Sequence, residues 1–469
     1  MAGKADLSPA DREKIFAEMP VGKALYTMAA PTVISQLINL IYNMVDAFYI
    51  GRTGDPYKMA ATTITITLVM LTVAVANLFG IGGGSLVARL LGMDKKDEAR
   101  TVSSFSFYGS IVTAAFYALL VALFLRPLLR FLGASEATIG YASAYTIIVI
   151  VIGVLPSMLS MVLAHLLRNV GCSKQASLGL SGGGVLNIIL DPLFMFVLLP
   201  EGMEVTGAAI ATTLSNVCAC LYLLVVYRKA GASSPLSMSL SCAGSIKPEN
   251  RRSIFSVGIP SAVQLGLLDL ANVCANRLAA EHSDLVLAGL GIVMKIERIP
   301  NAVNIGICQG MMPIVAYNYA AGNHARMKET MRAARTAGLI ISAASVILLL
   351  VFAGPFSRVF LDTSAKDAAA ALQTVGFAAL FLRIRALASP AQFLNYNSSF
   401  SMQAMGSGSA PLLLACLRIL VMYIPLMFLL DGLFGEIGLS SALPAGEWLS
   451  AFCAVYVLRT VMKKKGIKV

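Results

Sequence analysis

Apolar runs long enough to cross a bilayer recur along the whole chain, among them residues 34–50, 111–125, 145–167, 207–227, 338–354 and 412–430. With its flanks, each can span a hydrocarbon layer about 30 Å thick as a helix. About twelve such spans fit the length. Composition agrees, since only 13% of the residues are charged and 57% are hydrophobic, where a soluble domain carries about a quarter of its residues charged. The fold class expected is an all-α integral membrane protein in contact with a lipid bilayer.

The net charge of +12 is concentrated in a few loops. "RLLGMDKKDEAR" (89–100), "YRKAG" (227–231), "KPENRR" (247–252), "HARMKETMRAAR" (324–335) and "KKKGIK" (463–468) fall on one side of a twelve-span chain. The acid-bearing "PEGMEVTG" (200–207), "AEHSD" (280–284) and "DGLFGEIG" (431–438) fall on the other. Cationic loops stay in the cytoplasm, which places both termini there in a protein of the plasma (inner) membrane. Attraction to anionic lipid accounts for the charge without nucleic acid as a partner. Residues 1–23 mix acids and bases with no apolar centre, so they read as a cytoplasmic segment and not as a cleaved signal. The eight cysteines stand singly and lack the spacing of a disulfide framework or a zinc site.

The chain repeats itself. "AAPTVISQLINLIYNMVDAFYIG" (29–51) aligns with "GIPSAVQLGLLDLANVCANRLAA" (258–280), and "VLPSML" (154–159) with "LASPAQFL" (387–394). Two six-helix halves follow. An even number of spans per half gives both the same orientation, with a pseudo-two-fold axis along the membrane normal and a substrate site between the lobes. The expected division is a cytoplasmic segment 1–23, an N-lobe 24–230, a polar linker 231–250, a C-lobe 251–462 and a basic tail 463–469.

Polar residues inside the spans are the functional candidates, because a charge at mid-membrane costs about 2.5–3.5 kcal/mol. Four acids stand out: Asp46, Asp191, Asp269 and Glu297, the last with Lys295 and Arg298 beside it. In "LNIILDPLF", Asn187 and Asp191 are one turn apart on one helical face, and Pro192 cannot donate to the carbonyl of Ile188. A helix bend at Pro192 would open an oxygen-rich pocket suited to sodium or a proton. Asn39, Asn43 and Asp46 form a polar stripe on the first span. The glycine runs "GIGGGS" (80–85) and "LSGGGVLN" (180–187) read as close helix contacts. His165, His282 and His324 stand apart from one another and no nucleophile motif occurs, so an enzyme is not expected.

The passages "NMVDAFYIG", "NIILDP", "GAAIATTLS" and "GICQGMMPIVAYNYAAGN" closely resemble the MATE family of multidrug and toxic compound extrusion transporters, nearest the DinF-type and MepA-type exporters. That resemblance implies twelve helices in two lobes and an antiporter that exports lipophilic, cationic drugs or toxic metabolites by alternating access, in exchange for protons or sodium. It requires no cofactor beyond the transported H⁺ or Na⁺, and implies a monomer with drug-like small molecules as partners. The family's N-lobe coupling site maps onto Asp46, Asn187, Asp191 and Thr212, the residues that would also hold a sodium ion. The NorM-type branch uses acids on helices seven and ten. Asp269 lies within one residue of the first, but the tenth-helix text has Arg383 and Arg385 and no acid, which argues against that site.

Gln36, Asn39, Asn43, Gln264, Asp269, Met294, Glu297, Gln309 and Tyr396 are the candidate cavity residues, an apolar surface with a few acids being suited to lipophilic cations. The rival reading is a lipid-linked oligosaccharide flippase of the same superfamily. It would need a basic cavity for a pyrophosphate, for which Lys295, Arg383, Arg385 and Arg418 are the candidates.

Overall fold

A computed structural model describes residues 14–232, 234–359 and 368–468. Residues 1–13 of the expected cytoplasmic segment and Val469 of the basic tail lie outside the described residues. Twelve membrane-crossing helices form two six-helix lobes. The first lobe comprises α1 (Val21–Gly51), α2 (Pro56–Gly92), α3 (Lys96–Leu123), α4 (Ile139–Thr146, a π-helical Ile147–Ile152 and Val154–Asn169), α5 (Ser173–Leu193 continued by a π-helical Phe194–Leu198) and α6 (Glu204–Gly231). The second comprises α7 (Pro248–His282), α8 (Asp284–Ala320), α9 (His324–Arg358) and α10 (Ala368–Ala386 and Ser389–Ala404). It is completed by α11 and α12, which share the helical stretch Ser409–Lys464. Gly435 divides that stretch with φ 60°, ψ −143°, a conformation open to glycine because it has no Cβ.

Local chemistry sets the short connections. The Asp55 carboxylate accepts from the Tyr57 N–H at 2.9 Å with Pro56 opening α2, and Ser283 caps α8 by accepting from the Val286 N–H at 3.2 Å. Such caps satisfy N–H groups that a helix start leaves orphaned. With only Ser283 between them, α7 and α8 form a tight antiparallel hairpin.

The repeat seen in the sequence recurs in the breaks. The two parts of α4 meet at 48° across Gly153, shortly before Pro156, and α10 is interrupted at Leu387 and Ala388, shortly before Pro390. At Pro192, where a bend was expected, the helix Ser173–Leu193 runs on without a break and then widens into the π-helical Phe194–Leu198, so the missing N–H is accompanied by a change of winding.

The lobes touch through α1 against α8 and α2 against α7, and glycines make that approach possible. A Cβ on Gly258 would lie 2.1 Å from the Leu78 carbonyl oxygen, and one on Gly82 2.4 Å from that of Ile254. On the other pair, a Cβ on Gly310 would lie 2.4 Å from the Ala29 Cα and one on Gly306 2.7 Å from that of Val33. These contacts all lie in the helix halves nearest the basic loops, where Arg89 also donates to the Ser253 hydroxyl at 3.2 Å and Lys247 and Asn250 both donate to Glu98 at 2.9 Å. That bond holds the Lys247 ammonium above its usual range. About three turns further along the same faces stand Ala47, Thr67, Asp269 and Arg298, one on each helix, and all four are exposed. The lobes therefore enclose a cleft that is shut at the basic-loop end and open at the acidic-loop end.

The linker is less loose than its composition suggests. Leu236, Ala243 and Ile246 are buried, and the Ser237 and Met238 carbonyls accept from Ser104 at 3.0 Å and Tyr108 at 2.8 Å on α3. The basic tail is likewise docked: Ile467 is buried, Lys465 donates to the Tyr319 hydroxyl at 3.2 Å, and Lys328 donates to the Lys468 carbonyl at 3.0 Å.

Gly258→Val is expected to destabilise this closed end by about 1–3 kcal/mol through overpacking. Thermal unfolding in detergent, read by tryptophan-independent far-UV circular dichroism, should show a lower midpoint; an unchanged midpoint would deny the close approach.

Candidate functional site

In the first lobe α5 is drawn close to two neighbours by glycine: a Cβ on Gly183 would meet Ala219 of α6 at 2.9 Å, and one on Gly184 would meet Tyr42 of α1 at 3.0 Å. One turn beyond, Asn187 and Asp191 are buried between those helices at 2% and 0% exposure. The Asn187 amide donates to the Asp191 carboxylate at 2.9 Å and to the Thr212 hydroxyl of α6 at 3.4 Å. Asp46 of α1 lies within electrostatic reach of Asp191.

Three buried oxygens here have no hydrogen-bond partner: Asp46 Oδ1, Asn187 Oδ1 and Asp191 Oδ2. Buried acceptors are normally satisfied, so three unspent ones in one cluster mark a place for a proton or a cation. Carboxylate and amide oxygens are hard donors, which fits a proton or sodium better than a soft metal. The structure thus gathers all four residues expected of the coupling site. It adds two that the sequence reading missed. Tyr145, like Tyr42, lies within electrostatic reach of both Asp46 and Asp191. Tyr42 sits one turn before Asp46, a spacing that could have flagged it; Tyr145, inside an apolar run, carried no such signal. The π-helical turn of α4 bears on the same cluster, since Thr213 donates to the Ile148 carbonyl at 3.1 Å.

Asn39 and Asn43 belong to the cleft wall instead. Both are exposed, and the Asn43 amide donates to the Asn39 carbonyl at 2.6 Å and side chain at 3.1 Å. Gln36 and Gln309 meet at 3.1 Å across the lobes, closing the floor of the cleft.

The second lobe holds its charges differently. Glu297 pairs with Arg385 of α10 through two parallel bonds of 2.8 and 2.9 Å, and not with Lys295 or Arg298 beside it in sequence. Two positions and one position along the helix, respectively, turn those neighbours onto other faces. Arg418 donates twice to Glu447, at 3.0 and 2.6 Å, and Asn395 donates to the other Glu447 oxygen at 2.8 Å. Glu447 escaped the sequence reading although it interrupts an apolar run. Three expected cavity residues take part in this packing. Tyr396 is buried, with the Arg418 guanidinium 5.0 Å from its ring centre, Met294 packs on the second lobe's core, and Glu297 is held by Arg385. Gln264 lines a small pocket within this lobe, beside Asn395, Ser399 and Arg418. Arg385 and Arg418 each carry their own carboxylate, so neither is available as a cradle for a pyrophosphate.

The family model described as MatE matches residues 31–193 and 260–429, one segment in each lobe. The multidrug export protein MepA of Staphylococcus saprophyticus is 29% identical over 447 residues, covering 95% of both chains, and MepA of Staphylococcus aureus is 29% identical over 448 residues with the same coverage. Among solved structures, an outward-facing multidrug resistance MATE family transporter superposes with a TM-score of 0.88 at 22% identity, covering 97% of this chain and 98% of that one. A MOP superfamily transporter from Pyrococcus furiosus, whose description reports a binding pocket of reversed polarity, gives 0.89 at 22% identity, covering 99% of this chain and all of the other.

Removing one partner of a buried ion pair strands the other, so Arg385→Gln is expected to cost about 3–5 kcal/mol, whereas Arg385→Met combined with Glu297→Leu should recover most of the loss. Thermal unfolding of the two variants in detergent checks this. A double variant as unstable as the single one would refute the pairing.

Proposed function

The chain belongs to the MatE family, and from that membership we propose that it is a multidrug exporter that trades an outgoing lipophilic substrate for an incoming proton or sodium ion. The observation that carries the reading is the cluster of Asp46, Asn187, Asp191 and Thr212 with its three unpartnered buried oxygens. In this reading the ion binds among them, relieves the repulsion between the two carboxylates and pulls α1, α5 and α6 together. The π-helical turn after Pro192 gives α5 a soft segment next to the site. A tenfold gradient of the ion supplies about 1.4 kcal/mol, and 100 mV supplies about 2.3 kcal/mol per charge, each enough to drive accumulation.

Alternating access is the mechanism proposed for coupling the two fluxes. The cleft open at the acidic-loop end is then the outward-open state, with the basic loops and both termini in the cytoplasm of a plasma-membrane monomer. Inward opening must part the glycine contacts and also a strap just before α1. There the Phe16 carbonyl accepts from Asn318 at 3.0 Å and from Arg326 at 2.6 Å, and Arg326 donates to the Met19 carbonyl as well. Ile15 and Phe16 are buried against Ile314 of the other lobe. One guanidinium thus ties the strap leading into the first lobe to the second.

Asp191→Asn is expected to abolish gradient-driven dye transport in proteoliposomes given a pH or sodium gradient, and the gradient that drives the wild-type protein names the ion. Undiminished transport by the variant would remove the coupling role. Arg326→Ala should enlarge the inward-open population, read as a longer spin-label distance between positions 100 and 332 at the basic end; an unchanged distance distribution would show that the strap holds nothing closed.

A further inference from the structure

We propose that Arg332 and Arg335 of α9 and Arg459 of α12 bind the phosphate of an anionic phospholipid, whose acyl chain lies along an aromatic stripe of α12. The three arginines stand at the basic-loop end of the second lobe, where α9 and α12 both pack against the second part of α10. Arg335 lies within electrostatic reach of Arg332 on its own helix and of Arg459 on α12. Its Nε is buried and donates to nothing, although buried donors are almost always satisfied. Arg332 and Arg459 are exposed. Like charges gathered in this way repel, and among the described residues none of the three forms an ion pair. Glu329, one turn before Arg332, is exposed and unpaired, α10 carries no acid, and Glu447 of α12 is spent on Arg418.

Depth and the flanking surface fit a lipid. The apolar run 338–354 begins three residues after Arg335, so the guanidinium sits where hydrocarbon gives way to head groups. On α12 no proline separates residues 448 and 459, and at about 100° per residue Trp448 and Phe452 each lie within about 20° of the Arg459 direction and Tyr456 within about 60°. These rings are exposed at 40%, 70% and 73%, in the order Trp448, Phe452, Tyr456. The stripe runs about 16 Å inward from Arg459, close to half of a hydrocarbon layer about 30 Å thick, which is the reach of one leaflet's acyl chains. Trp448 is fixed there by its indole N–H, which donates to the Leu387 carbonyl at the break of α10 at 3.1 Å. Guanidinium groups pair with phosphate oxygens through two parallel bonds, and a basic pocket between helices on this side of a membrane suits an anionic head group. A soluble phosphate would use the arginines and leave the stripe bare, whereas a lipid uses both.

Trp448 is the single tryptophan of the chain, so its fluorescence reports on this groove alone. The protein is reconstituted in phosphatidylcholine bilayers with a rising mole fraction of phosphatidylglycerol carrying brominated acyl chains, or of phosphatidylcholine brominated in the same way. Quenching is read for the wild type, Arg332→Gln, Arg335→Gln, Arg459→Gln and Lys229→Gln, the last removing an exposed charge from the first lobe. Phosphatidylglycerol is expected to reach half of its quenching at a mole fraction about tenfold below that of phosphatidylcholine. Each arginine variant should reduce that preference about fivefold, and Lys229→Gln should keep it. The exposed Arg332 and Arg459 carry the test even where Arg335→Gln does not fold. Equal quenching of the wild type by the two lipids, or arginine variants that keep the preference, would overturn the assignment. Relief of the quenching by millimolar inorganic phosphate would overturn it as well, because the site would then belong to a soluble anion.

Discussion

A backbone and its charges placed in hydrocarbon have no water to fall back on, and that constraint orders everything else in this molecule. Helices satisfy their own backbone, glycines let those helices approach until packing replaces the missing hydrophobic drive, and charged side chains survive only where something answers them. The two lobes solve the last problem in opposite ways. The second closes Glu297 on Arg385 and Glu447 on Arg418, which makes those groups rigid and spent. The first leaves Asp46 and Asp191 without a basic partner, keeping oxygen lone pairs in reserve. The second lobe thus carries paired charges as a frame, and the first carries a cluster of unspent oxygens.

The interface between the lobes follows from the same economy. Where Gly258 meets Leu78 and Gly310 meets Ala29, backbone lies on backbone with no side chain to interlock. Contacts of that kind fit closely but hold weakly, since they carry little polar bonding of their own. The bonds described as crossing, from Arg89, Lys247, Asn250, Asn318, Arg326 and the Gln36–Gln309 pair, lie at one end. A joint closed by smooth surfaces and a small number of polar ties can part without unfolding either half.

Much of this could be read from the sequence, and the parts that could not have definite physical causes. Run lengths set the number of spans, and the passages matched around Pro156 and Pro390 placed the fourth span of each half, where the structure shows both to be interrupted. The i, i+4 spacing of Asn187 and Asp191 placed them on one face before any coordinates. Pairing across helices was not legible: nothing in "MKIER" says that Glu297 reaches Arg385 in preference to its own neighbours, because the choice depends on which way α8 turns toward α10. The form of the adjustment at Pro192 was hidden for a related reason. A missing N–H fixes that the helix must adjust, but whether it kinks or rewinds depends on what packs beside it.

The ion pairs of the second lobe have a consequence for how the chain enters the membrane. Glu297 of α8 finds its partner only on α10, and Arg418 of α11 only on α12. A helix delivered singly into lipid would have to carry its charge uncompensated until the later helix emerged from the ribosome. The second lobe is therefore best assembled as a group retained beside the insertion machinery, and it is synthesis order, more than the finished fold, that these two pairs constrain.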